Sequence, residues 1–240
     1  KPMEAAELLV AYLEQIGVEY VFGVPGGAIE PLYNALARSA RHGGLRPIVA
    51  RHESGAAFMA DGYARETGKV GVVCATSGPG STNLITGVAC AYENEIPMLV
   101  ITGQPSLILM GKGALQESSG AGIDTVAMFR TCTRYSALIS HPDQLERQLT
   151  NALLSTYQPT PGPVHLSIPV DVQRTGCGRA RAAGGEPRVR RPQDDRPVRR
   201  GQAQHRPEHR CRQRRRTVRC RRKQHRKRLP LEAHHVRGPR

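Results

Sequence analysis

One order recurs along the first 172 residues and restricts the fold more than any other feature: a short apolar run, a turn rich in glycine, then apolar residues at helical spacing. Ala5, Leu8, Leu9, Tyr12, Leu13 and Ile16 mark a helix, and Gly17 stops it before Val18-Glu19-Tyr20-Val21-Phe22, which alternates toward β. Gly23-Val24-Pro25-Gly26-Gly27 follows as a loop, and Ile29, Leu32, Tyr33 and Leu36 outline a helix ending before Gly43-Gly44. Pro47–Ala50 then leads into a helix from about His52, Val70–Ala75 into Ser77-Gly78-Pro79-Gly80 and a helix, and Met98–Thr102 into a loop. Residues 103–122, rich in Gly and Ser, read either as a mobile active-site loop or as a long connection. Leu145, Leu149, Leu153 and Leu154 outline a last amphipathic helix, followed by the buried strand Val164–Ile168. Strands alternating with helices predict an α/β fold over residues 1–172: a doubly wound parallel sheet with helices on both faces.

The pattern stops abruptly. Residues 1–172 hold 11 basic and 15 acidic side chains, whereas residues 173–240 hold 24 basic and 5 acidic ones, with no Ile, Met, Phe or Tyr. A stretch so poor in large apolar groups cannot bury enough surface to offset its ordering entropy, so we expect a disordered, Arg-rich low-complexity tail. Its onset coincides with the loss of hydrophobic periodicity, which suggests out-of-frame translation of a GC-rich gene. Sequencing the locus tests this, because a shift of one or two bases must then restore a normal continuation. The competing reading is a polybasic arm that binds any polyanion, without an aromatic to stack on bases and therefore without specific nucleic-acid recognition. His205, His209, Cys211 and Cys220 have the spacing of neither a zinc finger nor a zinc ribbon, so no metal site is expected. No apolar run approaches the roughly 20 residues needed to span a bilayer, and the chain start lacks a signal-peptide order, which points to a cytoplasmic protein. Cys74, Cys90 and Cys132 lie in apolar segments and read as reduced core residues.

Parallel α/β sheets place ligand sites beyond the carboxyl ends of their strands, and segments 23–27, 51–54 and 76–81 lie there. Glu53, in the first turn after a strand, taken alone reads as an acid complementing a helix dipole. Its neighbours in the pattern, Pro25-Gly26-Gly27 and Gly78-Pro79-Gly80 with Asn83 one turn on, would let a flat ligand approach the backbone closely. Gln116, taken alone, is equally well a solvated loop amide.

The order of these pieces is more specific than any one of them. Phe-Gly-Val-Pro-Gly-Gly (22–27), Arg-His-Glu-Ser-Gly-Ala-Ala-Phe-Met-Ala-Asp-Gly-Tyr-Ala-Arg (51–65), Ala-Thr-Ser-Gly-Pro-Gly-Ser-Thr-Asn (75–83), Ile-Thr-Gly-Gln (101–104) and the closing Pro-Gly-Pro-Val-His-Leu-Ser-Ile-Pro-Val-Asp (161–171) follow one another closely. Together they resemble the N-terminal, pyrimidine-binding domain of the thiamine diphosphate enzymes, nearest to the acetolactate synthase large-subunit group. The resemblance implies that Glu53 hydrogen-bonds N1′ of the aminopyrimidine, favouring the imino tautomer whose nitrogen takes the proton from the thiazolium C2. The cofactor then serves as electron sink for decarboxylation of a 2-keto acid. It also implies that Pro25, Gly26, Thr76, Pro79 and Asn83 line the pyrimidine and that Gln116 is the substrate-side glutamine.

Departures from the family pattern bear on substrate choice: Leu115 stands where Phe usually precedes the glutamine, and Arg134-Tyr135 where Lys-His is expected. The arginine that touches FAD in many relatives is replaced within Gln158-Pro159-Thr160-Pro161, so FAD is not carried over. The Gly-Asp-Gly motif and downstream Asn that hold Mg2+ and the diphosphate are absent, along with roughly 350 residues of two further domains. The resemblance thus implies a carboligase acting on pyruvate or a related 2-keto acid by decarboxylation and two-carbon transfer. In the family it works as a homodimer or tetramer with shared sites, so this chain alone holds half a site and is expected to be inactive. The alternatives are a decarboxylase of another 2-keto acid and a non-catalytic binding fragment.

Overall fold

A computed structural model of the protein describes residues 2–120 and 122–177; the basic stretch from residue 178 onward, including His205, His209, Cys211 and Cys220, lies outside the described residues. In chain order the elements are α1 (Ala5–Gln15), β1 (Tyr20–Gly23), α2 (Glu30–Arg41), β2 (Arg46–Val49), α3 (Glu53–Thr67), β3 (Gly71–Ala75), α4 (Pro79–Asn83), α5 (Ile85–Glu93), β4 (Met98–Gln104), α6 (Thr125–Arg130), β5 (Tyr135–Leu138), α7 (Leu145–Thr156), β6 (Pro163–Pro169) and α8 (Val170–Arg174). The six strands form one sheet in the order β2-β1-β3-β4-β6-β5, and every pairing is parallel.

Two apolar layers sandwich the sheet, as the alternating faces of its strands require. Val72, Cys74, Leu99, Ile101, Val164 and Leu166 pack with Leu9, Leu13, Leu32, Leu36, Leu145 and Leu149 of α1, α2 and α7. Val73, Ala75, Met98 and Val100 meet Ala56, Ala57, Ala60, Leu84, Val88 and Phe129 on the other face. β3, β4 and β6 are buried along their whole length. Full burial of each Val, Leu or Ile contributes about 1.5–3 kcal/mol, which is why these strands are nearly continuous apolar runs.

The expected doubly wound sheet is therefore present, with differences at its margins. His52 is the cap of α3, its Nδ1 accepting from the Ser54 amide at 3.2 Å, so the helix begins at Glu53. α6 and β5 have no counterpart in the periodicity analysis; β5 is a four-residue edge strand, half-buried throughout, and gives only a short apolar signal. Leu154, assigned to the apolar face of the last helix, is 59% exposed, while Leu153 packs on the core. The fold continues past Val172: the buried Gln173 amide donates to the carbonyls of Ala28 (2.9 Å) and Ile168 (2.7 Å), and the Cys177 amide donates to the Met3 carbonyl at 2.9 Å. Cys74, Cys132 and Cys177 are buried free thiols and Cys90 is half-buried.

Inside the sheet, His165 is fully buried between two hydroxyls, with Thr102 Oγ1 2.8 Å from Nε2 and Ser136 Oγ 2.8 Å from Nδ1. Phe129 stacks on its ring at 4.1 Å between centroids. Burial pushes the imidazole down from 6.5 to about 3, so it is a neutral core residue.

No described helix is long and apolar enough to cross a membrane.

Candidate active site

From β1 the chain passes outward to β2 on one side, and from α3 it returns to β3 on the other. The loops that leave β1 and β3 consequently diverge at the carboxyl edge, and the sheet opens there into the crevice that such a reversal of strand order creates. The predicted site residues converge on it.

Thr76, the residue after β3, is the floor of this crevice. Its hydroxyl accepts from the Ala28 amide at 3.3 Å, and its carbonyl accepts from Ser81 Oγ at 2.7 Å, which draws the loop after β1 and the turn after β3 together. Side chains are excluded from both sides of Thr76. A Cβ on Gly26 would lie 2.6 Å from Thr76 Cβ, and one on Gly80 would lie 2.7 Å from Thr76 Cγ2 and 3.4 Å from Glu53 Oε1. The backbone of both turns therefore lies directly against Thr76, and the turn at Gly80 also brings bare backbone beside the Glu53 carboxylate. Pro25 and Pro79 stand exposed at the rims of the two turns.

Glu53 is only 9% exposed. It occupies the first turn of α3, a helix held against the sheet by Ala56, Ala57 and Ala60, so its position follows from core packing rather than from loop conformation. Asn83 Nδ2 donates to Glu53 Oε2 at 2.9 Å, and the Asn83 carbonyl accepts from Ser54 Oγ at 2.7 Å. These contacts tie the start of α3 to the end of α4. They also divide the carboxylate: Oε2 is held by Asn83, and Oε1 is the oxygen beside Gly80.

The other polar groups near Gly23 stay protonated. Burial pushes the Cys74 thiol up to about 12. Burial, followed by Cys74 and the charge of Glu53, holds the Tyr33 hydroxyl far above its ordinary range. Neither can serve as a base or a nucleophile at neutral pH.

Gln116 approaches the same turn from the opposite side. A Cβ on Gly78, whose φ is +61°, would fall 2.8 Å from Gln116 Cβ. Glu53 and Gln116 thus flank the two ends of one Gly-Pro-Gly turn. Gln116 itself has φ +57°, left-handed backbone that is uncommon outside glycine, and it is exposed. Ser118 and Gln104 hold this segment in place; Gln104 closes the Ile-Thr-Gly-Gln stretch, whose sequence carries no signal of a side chain turned toward a loop residue. Arg134, by contrast, lies at the amino end of β5, away from the carboxyl edge, with its guanidinium 4.2 Å over the Tyr92 ring and Nη1 donating to Tyr92 Oη at 2.9 Å. Among the described residues no group of three or more His, Cys, Asp or Glu is placed to hold a metal ion.

The profile of the family described as "Thiamine pyrophosphate enzyme, N-terminal TPP binding domain" matches residues 3–128. The acetolactate synthase large subunit of Lactococcus lactis subsp. lactis (strain IL1403) is 43% identical over 172 residues, which make up 72% of this chain and 28% of that protein. Acetolactate synthase isozyme 2 large subunit of Escherichia coli (strain K12) is 45% identical over 171 residues, 71% of this chain and 30% of that protein. A probable acetolactate synthase large subunit of Methanocaldococcus jannaschii is 42% identical over 171 residues, 71% of this chain and 27% of that protein. The chain spans less than a third of the length of these relatives. With the profile covering more than half of the chain and its matched segment containing the crevice, the chain belongs to the thiamine pyrophosphate enzyme family and carries its N-terminal TPP binding domain.

Proposed function

We propose that the crevice binds the aminopyrimidine of thiamine diphosphate and that the chain is the pyrimidine-binding part of an acetolactate synthase-like carboligase acting on pyruvate or a related 2-keto acid. The observation that carries this reading is the buried Glu53 carboxylate, fixed by Asn83 through one oxygen while the other borders the bare backbone of Gly80. The residues fit the group. A ring nitrogen can share a proton with Oε1, and Gly80 carries no side chain to cover that oxygen.

When bound, thiamine diphosphate supplies an electron sink for the decarboxylation of a 2-keto acid. This chain's share is to place a proton acceptor and to exclude water around it. Glu53 Oε1 holds the proton that the ring nitrogen shares. Asn83 keeps the carboxylate from rotating and satisfies Oε2, with Thr76 as the floor, Gly26 against it, and Pro25 and Pro79 at the rims. Gln116, beyond the turn, faces the side on which substrate would lie. Mg2+ and the diphosphate fall to the part of the relatives' length that this chain does not span.

A second chain is the natural complement. Phe58 and Met59 on α3, the helix that carries Glu53, are 44% and 37% exposed, and Leu115 beside Gln116 is 87% exposed, so apolar surface lies open on both segments of the half-site. We assign this surface to a partner subunit of the homo-oligomer that completes the site.

Calorimetric titration with thiamine diphosphate and Mg2+, for the wild type and Glu53→Gln, tests the assignment. Loss of a charge-assisted hydrogen bond predicts about 10- to 100-fold weaker binding of the variant. Equal affinities, or no binding by the wild type, would overturn the reading. Pyruvate consumption on the same samples shows whether the half-site turns over.

A further inference from the structure

The described part of the segment between β4 and α6 exposes Ile108 (70%), Leu109 (47%) and Leu115 (87%), yet Ser118 within it is fully buried. Gln104, the last residue of β4 and 1% exposed, meets Ser118 with both ends of its carboxamide. Nε2 donates to the Ser118 carbonyl at 2.6 Å, and Oε1 accepts from the Ser118 amide at 3.3 Å. The side chain therefore mimics one rung of a β-ladder. Ser118 makes four further contacts: its carbonyl accepts from Thr125 Oγ1 (3.2 Å) and from the Thr125 amide (3.3 Å), its hydroxyl donates to the Gln116 carbonyl (3.1 Å), and that hydroxyl also accepts from the Gly78 amide. One serine thereby joins the end of β4, the start of α6, the left-handed Gln116 and the turn that also borders Glu53.

We propose that Gln104 and Ser118 form a latch, with Gln104 acting as the positioning residue for Gln116 and for the Gly78 turn. The left-handed backbone of Gln116 is intrinsically disfavoured, and such backbone persists only where its surroundings over-determine it. The latch is that surrounding. Near its ends the segment is also fastened where Asp171 Oδ2 accepts from Ser106 Oγ (2.7 Å) and the Leu107 amide (3.0 Å), and where Asp124 caps α6; within it Glu117 Oε1 accepts from the Gly111 amide (2.6 Å), which closes the loop on itself without tying it to the sheet. Without the central fastening, Lys112, Gln116 and the Gly78 turn would move together. The role given to Gln116 rests on the function proposed above; the latch itself does not.

Lysine-specific proteolysis of the full chain reads the latch directly, because the chain has only five lysines and two of them, Lys69 and Lys112, lie in the described fold. Cleavage between Lys112 and Gly113 follows the population of the released segment when opening is fast. Gln104→Met removes the carboxamide's two bonds to Ser118 and its bond to Thr125 Oγ1 at similar volume, and Ser118→Ala removes only the hydroxyl, so the second variant serves if the first fails to fold. Each is expected to raise cleavage at Lys112 about tenfold or more while leaving Lys69 unchanged, since a single buried hydrogen bond is comparable to one decade of equilibrium. Gly78 amide exchange should accelerate in Ser118→Ala. Thiamine diphosphate affinity should fall in both variants as the turn beside Glu53 loosens. Cleavage at Lys112 within about twofold of wild type, or a parallel rise at Lys69 that marks general loosening, would overturn the latch. A wild type that binds no thiamine diphosphate would overturn only the functional reading, leaving proteolysis and exchange to judge the latch.

Discussion

Acidification should single out His165, because the folded chain has no place for the charge. Its described contacts are Thr102, Ser136 and Phe129, none of which is an acid that could pair with an imidazolium. Burial holds the ring at about 3 against 6.5 for the free side chain. Between these values the unfolded chain binds a proton that the folded chain refuses, so stability rises with pH across the window. The contribution is whole above 6.5 and drains away as the pH falls toward 3. One proton corresponds to about 1.4 kcal/mol per pH unit, so moving from pH 7 to pH 5 should remove about 2 kcal/mol through this group alone. Urea unfolding followed by circular dichroism at several pH values measures it; with a slope of about 2 kcal/mol per molar, the midpoint should drop by about 1 M. His165→Gln, which keeps a hydrogen-bonding side chain but cannot titrate, should be less stable at pH 7 and show a profile flatter by about one proton. Surface carboxylates contribute equally to both proteins and cancel in the difference. Identical pH slopes would refute the reasoning.

Two other perturbations separate the crevice from its scaffold. Gly80→Ala would push a methyl to 2.7 Å from Thr76 Cγ2 and toward Glu53 Oε1, so it should destabilise the fold by about 1–3 kcal/mol and weaken thiamine diphosphate binding; unchanged unfolding and unchanged calorimetry would contradict the packing. Arg134→Lys loses the planar stack over Tyr92 and should cost about 0.5–2 kcal/mol in chemical unfolding without altering cofactor affinity, because the contact lies at the opposite edge of the sheet; a change in affinity would contradict that placement.

Most of the architecture was legible because burial dictates residue type. β3, β4 and β6 are enclosed on both faces and so read as apolar runs, and the helices that cover them carry apolar residues at helical spacing. β5 escaped notice because a four-residue edge strand that is only half-buried along its length has no such signature. The glycine turns and Glu53 were visible in the order of motifs, but the division of the carboxylate between Asn83 and the crevice was not. Thirty residues separate Asn83 from Glu53, and only the packing of α3 and α4 brings them to hydrogen-bond distance.

The sequence by itself determined the parallel α/β class and the carboxyl edge as the place for a ligand, since both follow from local composition and strand order, whereas Gly26 and Glu53 were marked out only by the resemblance that the order of motifs carries. The tertiary structure decided which groups act together. Thr76 became the floor because two loops cross over it, Arg134 was assigned to the far edge by the direction of β5, and Ser118 became a junction because a carboxamide from the end of β4 reaches it across 14 residues. Contacts of that kind depend on side-chain direction and sheet register, which no local pattern encodes.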